Sequence, residues 1–228
     1  MDYIVNGKKF HVSEMTGKME GIPSISTSCT DCSFCQQMQK NQDLVCNKCY
    51  SKALQALRKN LMNCLIENGK VLRSEVLTEF PKLNDLVFRI ESFGETDNDI
   101  QAENYLRLIE NNPNTRFGLW SKRMDIYKRV ILERGSYPPN VTFMESSPRL
   151  NTEIEHHTLE GTVRHYQLGT FTVYTADYAI ANGIEINCGN KVCRDCRTCY
   201  STNGDMIRIR EMLKSEQKKY AKMGGVIR

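Results

Sequence analysis

Ten cysteines stand among 228 residues, and nine of them fall into two tight groups. The first holds Cys29, Cys32, Cys35, Cys46 and Cys49, spaced C-x2-C-x2-C-x10-C-x2-C. The second holds Cys188, Cys193, Cys196 and Cys199, spaced C-x4-C-x2-C-x2-C. Two intervening residues let the chain turn and aim both sulfurs at one centre. Thiolates are soft ligands, suited to zinc or iron–sulfur rather than magnesium or calcium. Thiols acting only as small buried hydrophobes would not cluster in this way. The remaining cysteine, Cys64, lies in the apolar stripe Leu54, Leu57, Leu61, Cys64, Leu65 at helical spacing and reads as core.

Zinc would pair two C-x2-C units, and Cys32/Cys35 with Cys46/Cys49 make such a set with Cys29 left over. The run C-x2-C-x2-C is also the spacing that holds three corners of a 4Fe–4S cube. It occurs twice, as Cys29/Cys32/Cys35 and as Cys193/Cys196/Cys199. Spacing therefore favours one or two 4Fe–4S clusters, with zinc the alternative. The opening MDYIVNGKKF lacks a basic stretch followed by an apolar core, so no secretory signal is read there. A reducing cytoplasm is the expected compartment, and stable disulfides are rare in one. Hydrophobic residues make up 40% and charged residues 25%, which excludes whole-chain disorder. No apolar run reaches the roughly 18–20 residues of a membrane span. A net charge of +4 permits a nucleic-acid partner without requiring one.

The elements that must hold these thiols follow from periodicity. Asn6-Gly7 between short apolar arms predicts a β-hairpin. Residues 21–27 (GIPSIST) read as a strand leading into the first cysteines. A helix is expected from Tyr50 to Glu67, capped by Asn68-Gly69. Strands are expected at 86–92, 116–121, 141–146 and 171–175, with helices at 99–111, 124–134 and 177–182. A basic helix is expected from about Gly204 to Met223. This alternation implies a parallel sheet with right-handed crossovers, a partial (βα) barrel or an open parallel sheet. The expected organisation is a small N-terminal hairpin at 1–20, an α/β core at 21–183, and a C-terminal cysteine group with its helix at 184–228. Ligands of such sheets sit at the carboxyl ends of the strands, where the first cysteine loop belongs.

After the second of those strands comes Phe93-Gly94-Glu95. Gly94 permits close approach of backbone to a ligand, and Glu95 presents a carboxylate suited to an ammonium group. Read alone, the segment is an ordinary turn glycine with a solvated acid. With the cysteines it resembles the radical S-adenosylmethionine superfamily, which places a cluster after the first strand and a GGE segment after the second. That resemblance implies a 4Fe–4S cluster with one iron open to S-adenosylmethionine, and Glu95 on the methionine amine. A closer resemblance is to a phage group known as gene product 88 proteins, which implies the host cytoplasm. It rests on Lys18-Met19-Glu20-Gly21-Ile22-Pro23-Ser24-Ile25-Ser26-Thr27-Ser28, on Cys35 with Cys46-x-x-Cys49-Tyr50, on Phe117-Gly118-Leu119-Trp120-Ser121-Lys122, and on the closing cysteines. It spans roughly 18–200 and implies a fold and a cluster more than a reaction. The usual C-x3-C-x2-C triad is absent. Cys35, Cys46 and Cys49 are the favoured substrate-facing set, and Cys188 to Cys199 the auxiliary one.

Ser121 and Lys122 end their strand where an anionic ligand could meet them, and Ser146-Ser147 end theirs. Glu153, Glu155, His156, His157 and His165 offer metal-ligand types in a polar stretch that reads as a solvent loop. Lys214, Lys218, Lys219 and Lys222, with Arg208 and Arg210, read as a solvated face; a nucleic-acid contact is the alternative. The substrate, a small molecule or a nucleic acid, is not named by these residues.

Overall fold

The structure is a computed structural model that describes residues 1–154, 169–188, 191–201 and 206–210, with backbone alone at 201 and 206–210. Strands β1 (Asp2–Val5) and β2 (Lys8–Glu14) turn through Asn6 and Gly7, at φ 49° and 73°. Two consecutive positive φ values define the hairpin turn that Asn-Gly favours. β2 then pairs antiparallel with β3 (Pro23–Ile25). Three helices follow: α1 (Ser33–Met38), α2 (Tyr50–Leu57) and α3 (Lys59–Ser74). The chain then alternates through β4 (Val87–Ile90), α4 (Asp99–Glu110), β5 (Arg116–Ser121), α5 (Met124–Arg134) and β6 (Val141–Ser146). Beyond it come β7 (Gly169–Tyr174), α6 (Ala176–Ala181), the short helices α7 (Cys193–Cys196) and α8 (Thr198–Ser201), and β8 (Met206–Arg210).

The eight strands hydrogen-bond in chain order, and every pair from β3 to β8 is parallel. Among the described residues β8 pairs only with β7, so this mixed α/β fold carries an unclosed, mostly parallel sheet. Sequential parallel strands need crossovers, and crossovers of one hand put their helices on one face. The core lies there: Phe88, Ile90, Phe117, Leu119, Val141 and Phe143 pack against Leu72, Tyr105, Leu106, Ile126, Tyr127 and Ile131 of α3, α4 and α5. Strand side chains alternate, so Val87, Trp120 and Met144 face the other way. They form a smaller cluster with Ile22 and with Tyr200 of α8. A Cβ at Gly118 would stand 2.4 Å from the Trp120 ring and 2.7 Å from Tyr200, so only glycine admits this packing.

Four details differ from the sequence expectations. The helix beginning at Tyr50 breaks at Arg58 (φ −120°, ψ 77°) and resumes to Ser74. Asn68-Gly69 therefore lies inside α3 and not at a cap. The Asn68 amide is buried, donating to the carbonyls of His11 and Ser26 and accepting from the His11 N–H. Leu57 is 84% exposed, because the break turns it off the stripe that buries Leu65. Residues 206–210 (MIRIR) form a strand where a helix was expected, parallel to β7. Alternating Ile and Arg suits a strand's period of two, and the neighbouring edge of β7 supplies the backbone partners. The rest of the expected basic helix, with Lys214, Lys218, Lys219 and Lys222, lies outside the described residues, as do Glu155, His156, His157 and His165. No helix among the described residues is long and apolar enough to cross a membrane.

Candidate metal centre

The first cysteine loop leaves the carboxyl end of β3 and is held down from below. Glu91, just past β4, has a φ of 54°. Its carboxylate accepts from the Thr27 N–H at 3.1 Å, the Thr27 hydroxyl at 2.7 Å, Tyr105 at 2.6 Å and Gln101 at 2.8 Å. Gly94 lies against the same residue, since a Cβ there would stand 2.5 Å from the Thr27 carbonyl oxygen. Its smallness serves the meeting of two strand-end loops. From α2, the buried Gln55 accepts from the Ser28 hydroxyl at 2.6 Å and donates to the Cys29 sulfur at 3.3 Å.

The five thiols of this group do not stand alike. Cys29 and Cys32 are 1% and 0% exposed, whereas Cys35, Cys46 and Cys49 are half-buried. Cys32 is the N-cap of α1, accepting the Cys35 N–H at 3.3 Å, and its sulfur contacts the Glu95 carbonyl and Asp97. A cavity of about 800 Å³ is lined by Cys29, Cys35, Cys46 and Cys49, but not by Cys32. The Cys29 thiol donates to Cys49. This contact lowers the Cys49 pKa to about 6 and, together with burial, raises that of Cys29. Contact with Cys32, then burial, raises Cys35, while burial raises Cys46 despite the nearby Lys122 charge.

The residues expected to hold a cofactor come together at the same mouth. Glu95 is buried; one carboxylate oxygen accepts from the Ser121 hydroxyl at 2.5 Å and the Thr96 N–H at 3.0 Å, the other from the Lys122 N–H at 2.8 Å. A carboxylate offers about four acceptor positions, so one remains beside Lys122. Burial raises the Glu95 pKa against the lowering pull of Lys122. Phe93 packs on Met15 and Leu65, and its carbonyl accepts from Ser51. Phe93, Gly94, Glu95, Lys122 and Ser146 all line the cavity. Ser147 instead turns to the Arg149 backbone, and Glu153 accepts from Tyr174 at 2.6 Å.

The second group reaches the cavity from the sheet face opposite the core. Cys188, Cys193 and Cys199 line it, and all four cysteines of the group line an adjoining space of about 330 Å³. Arg197, at φ 54°, turns the chain between α7 and α8 and brings Cys199 back toward Cys193. Burial pushes Cys199 up to about 12, while a hydrogen bond with Thr198 lowers Cys196.

Among the described residues, no three of His, Cys, Asp or Glu converge closely enough to ligate a single ion. The donor chemistry nonetheless fits a thiolate-bound cluster: half-buried sulfurs on short turns, facing a common space. Two site residues were not singled out from the sequence. Arg89 lies half-buried on the face opposite the helices, its guanidinium 3.3 Å over the Trp120 ring. Its one signal is a charge inside the otherwise apolar strand of 86–90. Lys18, from the segment before β3, donates to the Cys188 sulfur at 3.0 Å. No family model, no curated protein and no solved structure matches this chain.

Proposed function

We propose that this chain is an iron–sulfur protein of radical S-adenosylmethionine type, built on a partial (βα) barrel. One observation carries the reading. The cysteine loop after the first parallel strand and Gly94-Glu95 after the second meet at one cavity, which the second cysteine group also lines. The sequential strand order with the helical core on one face supports the barrel form.

In this reading Cys35, Cys46 and Cys49 hold the first cluster. Cys29 stands behind them as a hydrogen-bond donor to Cys49, the kind of outer contact that orients a metal ligand. Cys32 serves α1. Three thiolates leave one iron open, and Cys188, Cys193, Cys196 and Cys199 close a second cluster completely. Bound there, the first cluster supplies a low-potential electron for reductive cleavage of S-adenosylmethionine, with radical chemistry on a substrate to follow. Glu95 offers its remaining acceptor position to the methionine amine. Met15, Phe93 and Trp120 give the space between part of an apolar wall.

The test is anaerobic purification or reconstitution, with iron, acid-labile sulfide and zinc counted per chain. Dithionite and S-adenosylmethionine are then added and 5′-deoxyadenosine is measured. Close to eight irons and as many sulfides, with product formed, are expected. Zinc without sulfide would replace this reading by a four-cysteine zinc protein. Intact clusters without cleavage would leave an iron–sulfur scaffold or redox carrier.

A further inference from the structure

The smaller cavity has a charge pattern that the ligand count alone does not explain. Besides its four cysteines it is lined by four basic residues, Lys18, Arg89, Lys191 and Arg197. Among the described residues, no Asp or Glu lines it. Lys18 already reaches one ligand candidate, with its ammonium 3.0 Å from the Cys188 sulfur. Arg89 is the more telling group. It is half-buried, its Nε is shielded without a hydrogen-bond partner, one Nη makes a long 3.5 Å contact to the Glu91 carbonyl, and the guanidinium also meets the Tyr200 hydroxyl. Stacking on Trp120 recovers only part of what desolvation costs. A guanidinium with a shielded, unpartnered Nε and no carboxylate hydrogen-bonded to it is suited to an anion placed beside it.

We infer that Arg89 and Lys18 are the counter-cations of an anionic metal–thiolate centre held by Cys188, Cys193, Cys196 and Cys199, and that they set its reduction potential. The inference rests on the iron–sulfur reading above and goes beyond it. Four thiolates outweigh the positive charge of a 4Fe–4S core, so the loaded site is anionic. One electron from an external reductant such as dithionite makes it more so, with no bond formed or broken in the protein. A cation in a low-dielectric wall favours the more negative state. The cavity of the first group is mixed instead, with Glu14, Glu91 and Glu95 set against Lys18, Arg58, Arg89 and Lys122. The second centre is therefore reduced first.

The experiment is a redox titration of the anaerobic, full-length protein followed by electron paramagnetic resonance, with iron and sulfide counted in every sample. In wild type the second centre should take up its electron at the higher potential. Arg89→Met should lower the reduced-to-oxidised ratio of that centre at fixed potential by about tenfold, which is ~59 mV for one electron. Arg89→Lys should recover most of the loss, and the first centre, whose cavity Arg89 also lines, should move by less than the second. Lys18→Met, at a partly exposed position, should shift the same centre in the same direction by less. It decides the matter if Arg89→Met does not fold. Loss of the second centre alone from a folded Arg89→Met, with retention in Arg89→Lys, also supports the inference. Two loaded centres whose potentials neither Arg89→Met nor Lys18→Met moves would overturn it while leaving the iron–sulfur reading intact. A wild-type protein that takes up no iron would overturn that reading, and this inference with it.

Discussion

Cys32 and Cys35 share a C-x2-C spacing, yet their surroundings assign them different work. Cys32 is sealed from the cavity and accepts the Cys35 N–H in the first turn of α1, whereas Cys35 lines the cavity. Serine is a better N-cap than a thiol and alanine a poor one. Cys32→Ser is therefore expected to keep the wild-type iron and sulfide count and the wild-type stability. Cys32→Ala should keep the iron but lose about 1 kcal/mol in urea unfolding. Cys35→Ser, Cys46→Ser and Cys49→Ser should each drop the first cluster and leave the second. A Cys32→Ser protein lacking half its iron would return this residue to the ligand set. Spacing could bring the nine thiols together but could not make this division. A ligand thiol and a capping thiol fit the same C-x2-C turn, and only burial and the cap hydrogen bond separate them. Glu95 was singled out only because of the neighbouring cysteines and the resemblance they carry, since Gly94-Glu95 alone reads as a turn with a solvated acid. Arg89 escaped notice because its meaning depends on Trp120 and on cysteines roughly a hundred residues away, which the fold brings to it.

At the scale of elements, α4 and α5 are tied on their outer side by a charge network. The Glu103 carboxylate accepts from Arg134 at 2.6 Å and from Arg107 at 2.5 Å, and Arg134 also reaches Glu110 at 2.5 Å. The Glu103 side chain is 14% exposed and that of Arg134 17%, so screening is incomplete. Burial pushes the Glu103 pKa up, but the hydrogen bonds and charges of Arg134 and Arg107 outweigh it and hold the carboxyl below its usual range. A depressed folded pKa stabilises the protein above the unfolded value, and that contribution fades as pH falls through the folded one. Glu103→Gln should cost about 1–2 kcal/mol at pH 7, between an exposed and a buried pair. The gap from wild type should narrow steadily below pH 4 in acid titrations of urea stability. A gap independent of pH would mean that packing alone holds the two helices. The elements themselves were largely readable, because β5, α5 and β6 carry their own periodicity and Gly135 and Pro148 mark the ends of the last two. The break at Arg58 was not, since residues 50–67 keep a helical pattern across it. Nor was β8, whose short Ile/Arg alternation becomes a strand through pairing with the edge of β7.

Across the whole molecule, the two faces of the sheet are secured by different means. The helix-covered face has a large continuous apolar core. Among the described residues the other face has a smaller cluster of Ile22, Val87, Trp120, Met144 and Tyr200, with Trp120 and Tyr200 edge to face at 5.5 Å and Phe171 and three of the cysteines packed against it. The segment carrying Cys188 to Cys199 rests on that smaller cluster and on Lys18. Metal bound to these thiols would staple the segment to the sheet, because such a site exists only in the folded chain. A ligand present at a thousand times its dissociation constant adds about 4 kcal/mol. In a chain of this size each kcal/mol shifts Tm by about 2–4 °C. Removal of metal by oxidation and chelation should therefore lower Tm by roughly 10 °C, with the loss unevenly distributed. Hydrogen exchange should accelerate first at 188–200 and in the loops bearing Cys35, Cys46 and Cys49. The amides of α4, α5 and β5 should keep their protection until global unfolding. If protection instead fell equally throughout, or if Tm did not respond to metal, the smaller cluster would be sufficient by itself. The cysteine groups would then have no part in holding the second face.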